Sequence, residues 1–293
     1  MPRIGVLFPA LWPDERLPAY AREAERDGYD ELWLAEDCFL HGGLTAAATA
    51  LALSERVTVG TGLLPSAVRN PAIAAMEIAT LALLHPGRVQ IAFGHGVEAW
   101  MRQIGARPPD RLVMLEEVVR ATRALLHDET VDTAGRFVTL RDVRLEQPPG
   151  TPPEILVGTT GERAVGIAAR AADGLVVPEG TSEPAVRWAR GLLGDGRLVV
   201  YSWLRIEDDA PTAQAALEPV VERWRAGGNY PGLAARAGAL EELAVVGSAQ
   251  DCADAVRRRG EAGADAVVLV PAGEDPAGQV ARFASEVLPL LRG

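Results

Sequence analysis

The chain has 293 residues, 48% of them hydrophobic, with 40 acidic against 29 basic side chains and a formal net charge of −11. Long-range repulsion argues against a nucleic-acid or anionic-membrane surface, leaving small molecules as the expected partners. Every basic residue is an arginine, so chemistry that needs a lysine, such as a Schiff base or a P-loop, is excluded.

The first apolar run, IGVLF (4–8), reads as a strand, followed by PALWPDE rather than by the glycine-rich phosphate loop of a doubly wound sheet. Pro9, Pro13, Asp14 and Glu15 also break any signal-peptide core, and no later apolar run reaches about 18 residues. A soluble cytoplasmic protein is expected. Leu17, Tyr20, Ala21 and Ala24 share one helical face, and Gly28 stands where a C-cap belongs. ELWLA (31–35) is the second strand, ended by Glu36, Asp37 and Cys38. The two carboxylates point to opposite faces if the strand persists, so at most one, Asp37 by preference, enters a pocket.

VTVGTG (57–62) and VQIAFG (89–94) are the third and fourth strands, the latter ending at His95-Gly96. His85 precedes the fourth strand and is read as structural. His127 closes a long helix, where a cation complements the dipole. An extended excursion over 128–153 leads to EILVG (154–158) and the turn Thr159-Thr160-Gly161, which opens a helix carrying Ala164, Ile167, Ala168 and Ala171 on one face. Free N–H groups at that start would favour a phosphate.

Gly174 is expected to cap that helix at the head of GLVV (174–177), with Glu179 just beyond, and LVVYSWL (198–204) carries Trp203. A glycine-rich excursion at 227–238 is expected to be mobile. Ser248 and Asp251 form a capping-box pattern ahead of a helix that packs Cys252 as an ordinary small hydrophobe, and AVVLV (266–270) is the last strand. Cys38 and Cys252 lie far apart without metal-ligand spacing, which fits a reducing compartment and no metal site.

Eight strand–helix repeats predict a (β/α)8 TIM barrel with insertions in the βα connections, one domain over residues 1–293. Such a barrel keeps its chemistry at the C-terminal ends of its strands. The residues there are Glu36, Asp37, Gly62, Leu63, Leu64, His95, Gly96, Thr159, Thr160, Gly161, Glu179 and Trp203. Carboxylates, an imidazole and glycine turns suit a flat polar ligand better than a hydrolytic triad. Trp12, Trp100 and Trp203 could wall an apolar pocket or pack beneath loops.

With these residues in place, the chain resembles the luciferase-like monooxygenase superfamily, and within it the branch that uses the deazaflavin coenzyme F420, represented by methylenetetrahydromethanopterin reductases. The likeness covers essentially the whole length. It is most specific in ELWLAED, VTVGTGLLPSAVRNPAIAAMEIATLALLHPGRVQIAFGHG, EILVGTTGERAVGIAARAADG and VVGSAQDCADAVRRRGEAGADAVVLVP. The resemblance implies hydride transfer between F420 and a small organic substrate, a homodimer, and a bulged third strand with a cis peptide at Gly62-Leu63.

It further implies cofactor contacts at Asp37, Gly62, Leu63, Leu64, His95, Gly96, Thr159, Thr160 and Gly161, with Arg163 or Arg69 toward the anionic tail. Many relatives have Asp-His or Glu-His where this chain has Glu36-Asp37-Cys38. The acid/base is therefore open among Asp37, Glu36 and His41. The alternatives are an FMN-dependent monooxygenase fed by a separate reductase and a non-catalytic ligand-binding barrel.

Overall fold

The computed structural model describes residues 1–227 and 239–293. All eight expected runs are strands. In chain order the strands are β1 (Arg3–Phe8), β2 (Glu31–Leu34), β3 (Thr58–Pro65), β4 (Val89–Gly94), β5 (Val131–Ala134), β6 (Thr139–Val143), β7 (Glu154–Gly158), β8 (Gly174–Val177), β9 (Arg197–Ile206), β10 (Ala244–Gly247) and β11 (Ala266–Pro271). Parallel pairing runs β1-β2-β3-β4-β7-β8-β9-β11, and β11 returns to β1, so the sheet closes as a (β/α)8 TIM barrel.

Two pieces were not expected. The excursion over 128–153 contains the antiparallel hairpin β5–β6. It joins a helix to a strand, so it belongs to the end of the barrel opposite the catalytic rim. Strand β10 pairs with Trp203–Ile206 of the long strand β9, above the point where β8, paired only to Arg197–Val200, has stopped. Four residues directly after a helical turn are too short a run to stand out in sequence. The glycine-rich excursion at 227–238 lies, apart from Gly227, outside the described residues.

The helices are α1 (Leu17–Arg26), α2 (Gly43–Ala52), α3 (Pro71–Leu84), α4 (Glu98–Gln103), α5 (Arg111–Leu126), α6 (Glu162–Ala171), α7 (Glu183–Leu193), α8 (Ala210–Gly227), α9 (Leu240–Leu243), α10 (Ala249–Glu261), α11 (Pro276–Arg282) and α12 (Leu288–Arg292). Their starts follow local chemistry. Asn70 accepts from Ala72 N at 2.9 Å with Pro71 in the first turn of α3, and Ser248 and Asp251 close the expected capping box on α10. Gly28 follows α1 with φ +89°, a left-handed position that suits glycine. Gly174 is not a cap. Helix α6 stops at Ala171 with Ala172 extended, and Gly174 opens β8 because the Arg197 backbone leaves no room there for a Cβ.

Two cores result. Outward-facing strand residues such as Ile4, Leu32, Val59, Ile91 and Val157 pack against the helices. Inward-facing Trp33, Ala92, Leu156, Val176, Val199, Tyr201 and Val268 fill the barrel itself. The bottom of that filling is ionic: Glu31, fully buried, takes Arg3 Nε at 2.8 Å and Trp33 Nε1 at 2.8 Å, and Arg197 also pairs with it. A buried carboxylate is tolerated because both its oxygens are satisfied.

Candidate active site

Strand alternation decides what faces the barrel axis at the rim. Trp33 points inward over Gly60, and two further steps of the same parity reach Asp37. Glu36, of the opposite parity, turns toward the helices. Its carboxylate takes Arg69 Nη1 at 2.6 Å and Nη2 at 2.8 Å and accepts from Gly43 N, the first residue of α2, at 2.9 Å. Arg69, expected at a cofactor's tail, is committed instead to this two-pronged pair and to Glu77 at 3.5 Å. The proximity of α3 to the β2–α2 loop, invisible in sequence, redirected it.

Strand β3 breaks its register against β4: Gly62 faces Ala92, Leu64 faces Phe93, and Leu63 is the extra residue of a bulge. The Gly62-Leu63 peptide is cis. Leu63 turns inward and spreads across the ends of β4 and β7. A Cβ on Gly94 would come within 2.7 Å of Leu63 Cδ1, and one on Gly158 would collide with the same side chain. Three glycines, Gly62, Gly94 and Gly158, thus leave a shallow floor built around one leucine.

On this floor's border stand His95 and Gly96, following β4. Gly96 has φ +68°, and a Cβ there would meet Met101 Sδ at 2.8 Å, so the turn requires glycine. His95 is half-buried and its Nδ1 has no partner. Burial, and then the charge of Arg111, push its imidazole down to about 4, so the ring is neutral at neutral pH. Beyond β7, Gly161 caps α6 with open space where a Cβ would be, Thr159 and Thr160 are partly exposed, and exposed Arg163 has no ion pair among the described residues. A helix start with a spare guanidinium beside it suits an anionic group.

Asp37, His95 and Gly161 therefore follow β2, β4 and β7, and Leu63 sits near the end of β3, so the four belong to four successive staves of the barrel. The facing wall carries Glu179, already on the expected rim, and Tyr201, which the sequence reading left out. Glu179 follows β8, and Tyr201 projects inward from β9, edge-to-face on Trp33 at 5.6 Å between centroids. Its hydroxyl lies 3.2 Å from the place a Cβ on Gly62 would occupy and has no partner. A tyrosine in the middle of an aliphatic strand, with Trp203 two residues on at the same parity, was the available signal.

Burial raises the Asp37 carboxyl above its ordinary value, with nearby His41 opposing the rise. Burial raises Glu179, its own backbone N–H opposes the rise, and the charge of Asp37 adds a smaller push upward.

His41 is buried in the β2–α2 loop. Its Nδ1 lies 3.4 Å from Asp14 Oδ1, its ring tilts on Phe8 at 5.8 Å, and its Nε2 is unpartnered. It lines a cavity of about 340 Å³ with Leu11, Trp12, Asp14 and Leu40, between the loops after β1 and β2. Trp12 itself packs edge-on against Phe8 and Tyr20, with Arg16 over its face at 4.4 Å. Trp203 packs against Trp224 of α8 at 5.4 Å and is 4% exposed, so it belongs to the core beneath α8. Among the described residues no cluster of His, Cys, Asp or Glu could hold a metal ion.

A closed parallel barrel with a bulged third strand and a glycine floor at its catalytic rim defines the class. The model of the luciferase-like monooxygenase family matches residues 13–266, and the chain belongs to that family of oxidoreductases. An F420-dependent glucose-6-phosphate dehydrogenase of Kineococcus radiotolerans is 28% identical, over 94% of this chain and 93% of its own. A 5,10-methylenetetrahydromethanopterin reductase of Methanolobus tindarius is 26% identical over 74% of this chain and 69% of its own. Among solved structures, the coenzyme F420 dependent tetrahydromethanopterin reductase of Methanopyrus kandleri superposes with a TM-score of 0.83 over 99% of both chains at 17% identity, a likeness of fold.

Proposed function

We propose that residues 1–293 act as one domain, an oxidoreductase that exchanges a hydride between coenzyme F420 and a small organic substrate at the C-terminal mouth of the barrel. One observation carries the reading: Leu63, thrown inward by the β3 bulge, lies on a floor of glycines with Asp37, His95 and Gly161 on its border. Such a floor fits a planar ring, because side chains at Gly94 or Gly158 would displace the leucine that supports it. The F420-dependent relatives support the choice of ring.

When bound, the deazaflavin supplies hydride exchange at a ring carbon, without the oxygen chemistry of a flavin. The chain supplies position. Gly62 and Leu63 would lie under the ring, and His95-Gly96 and Thr159-Thr160-Gly161 would offer it backbone and a neutral imidazole, whereas Leu64, expected to join them, is fully buried in the outer core against the helices because it follows the bulge with the opposite parity. Arg163 and the start of α6 take the anionic tail. Asp37 holds or accepts the proton that accompanies the hydride; Glu36 is occupied by Arg69, and His41 faces Asp14. Neighbouring groups held in place by a rigid barrel raise the effective concentration of donor and acceptor.

Titration of the purified protein with F420 and with FMN, read by cofactor fluorescence and absorbance, tests this reading. Micromolar F420 binding with no FMN binding at the same concentrations is expected. The reverse selectivity overturns the assignment in favour of a flavin monooxygenase. The reading extends to a homodimer, supported by the largely apolar outer face of α3, and to the cytoplasm, supported by Cys38 and Cys252 both being unbridged.

A further inference from the structure

A cavity of about 280 Å³ lies at the end of the barrel away from the mouth, walled in part by Arg3, Thr58, Gln90, Glu154 and Arg197. Each of these stands at the first or second position of its strand, β1, β3, β4, β7 or β9. The space is several times the share of one water molecule, roughly 30 Å³, and belongs with sites for small ligands rather than coenzymes.

The charges of the wall are balanced. Arg3 and Arg197 both pair with Glu31, which is fully buried, and Arg197 Nε stands 3.4 Å from Glu154 Oε2. A ligand of net charge would leave one charge unmatched in a half-closed space, where that is costly. The wall therefore favours a neutral molecule.

Two polar atoms of the wall have no hydrogen-bond partner, and they differ in kind. Gln90 is 6% exposed, and its amide is oriented by Nε2 donating to Glu154 Oε2 at 2.9 Å, which leaves Oε1 as an unmet acceptor. Arg197 Nε, close to that same carboxylate oxygen, makes no hydrogen bond and is an unmet donor. Buried groups are seldom left so in a folded protein. The complement of this pair is a molecule that carries an acceptor beside a donor.

We propose that the cavity is a second binding site, for a small primary carboxamide of no net charge. Its carbonyl oxygen accepts from Arg197, its NH2 group donates to Gln90 Oε1, and its short carbon chain lies toward Pro152 and Pro153. The site is independent of the function proposed above. The ligand would link the starts of β4 and β9, which are not neighbours in the sheet, and so stabilise the closed barrel by mass action.

The test titrates the full-length, 15N-labelled protein with propionamide, and with propionate and propylammonium as charged molecules of similar size. The side-chain N–H signals of Gln90 and Arg197 are followed by NMR. Propionamide is expected to move both saturably at millimolar concentration, to raise the melting temperature, and to bind about tenfold or more tightly than either ion. Gln90→Met, with its amide spectrum and melting temperature confirming the fold, should weaken that binding about tenfold. Unchanged affinity in Gln90→Met overturns the site. So does equal or tighter binding of an ion, or propionamide shifts that spare Gln90 and Arg197. Absence of saturation overturns it too, leaving ordered water as the partner of both groups. If Gln90→Met does not fold, the wild-type series decides.

Discussion

Leu63 shows how one side chain sets the shape of the mouth. It is the residue that the β3–β4 register cannot accommodate, and it fills the space that glycine leaves at positions 94 and 158. Gly158→Ala should therefore force Leu63 to move or strain, at a cost of about 1–3 kcal/mol of stability in urea unfolding. F420 affinity should fall about tenfold or more, because the floor is no longer flat. If Gly158→Ala keeps wild-type affinity, the glycine floor is not where a ring rests.

The rim residues named from sequence fare unequally for the same reason. Asp37 is placed by strand parity, and His95 and Gly161 by their position just past a strand end, which a sequence displays; Leu63 reaches the mouth through a bulge that breaks parity, which only the family resemblance suggested. The engagement of Arg69 by Glu36 depends on where α3 lies over the β2–α2 loop.

At the scale of elements, apolar alternation located all eight barrel strands, because parallel strands covered on both faces read as continuous aliphatic runs. Helix α10 was legible down to its cap. Ser248 Oγ accepts from Asp251 N, and Asp251 Oδ2 accepts from Ser248 N at 2.9 Å. Ser248→Ala should cost about 1 kcal/mol, measured as a lower urea midpoint with an unchanged slope. A change below a few tenths of a kcal/mol would mean that water replaces the cap.

The elements that escaped were short or irregular. Strand β10 has four residues, β5 alternates partly exposed with fully exposed positions, and β6 buries only Leu140, so none carries a strong apolar signature.

At the scale of the whole molecule, helix α3 is apolar on both sides. Its inner face packs on the barrel, and its outer face exposes Ile73 (49%), Met76 (54%), Leu83 (44%) and Leu84 (68%) within one stripe. The one charge on that stripe, Glu77, is held by Arg69. In a chain of net charge −11, two copies repel at long range, so an apolar stripe whose single charge is paired is where they could meet. Sedimentation velocity should show a dimer at micromolar concentration, and Met76→Glu should shift it to monomer while leaving the fold intact. A wild-type monomer would remove the dimer from the proposal.

The acidic balance, the absence of lysine and the eight alternating repeats were settled by the sequence alone, because each depends on composition or on neighbours within a few residues. Family resemblance in the motifs around Gly62, His95 and Thr160 reached the barrel rim the same way. What only the tertiary structure decided is who meets whom at that rim: Glu36 with Arg69, and Leu63 with Gly94 and Gly158. Those meetings depend on how neighbouring strands and helices pack in the closed sheet, which brings residues tens of positions apart into contact, and no local pattern encodes such a distance.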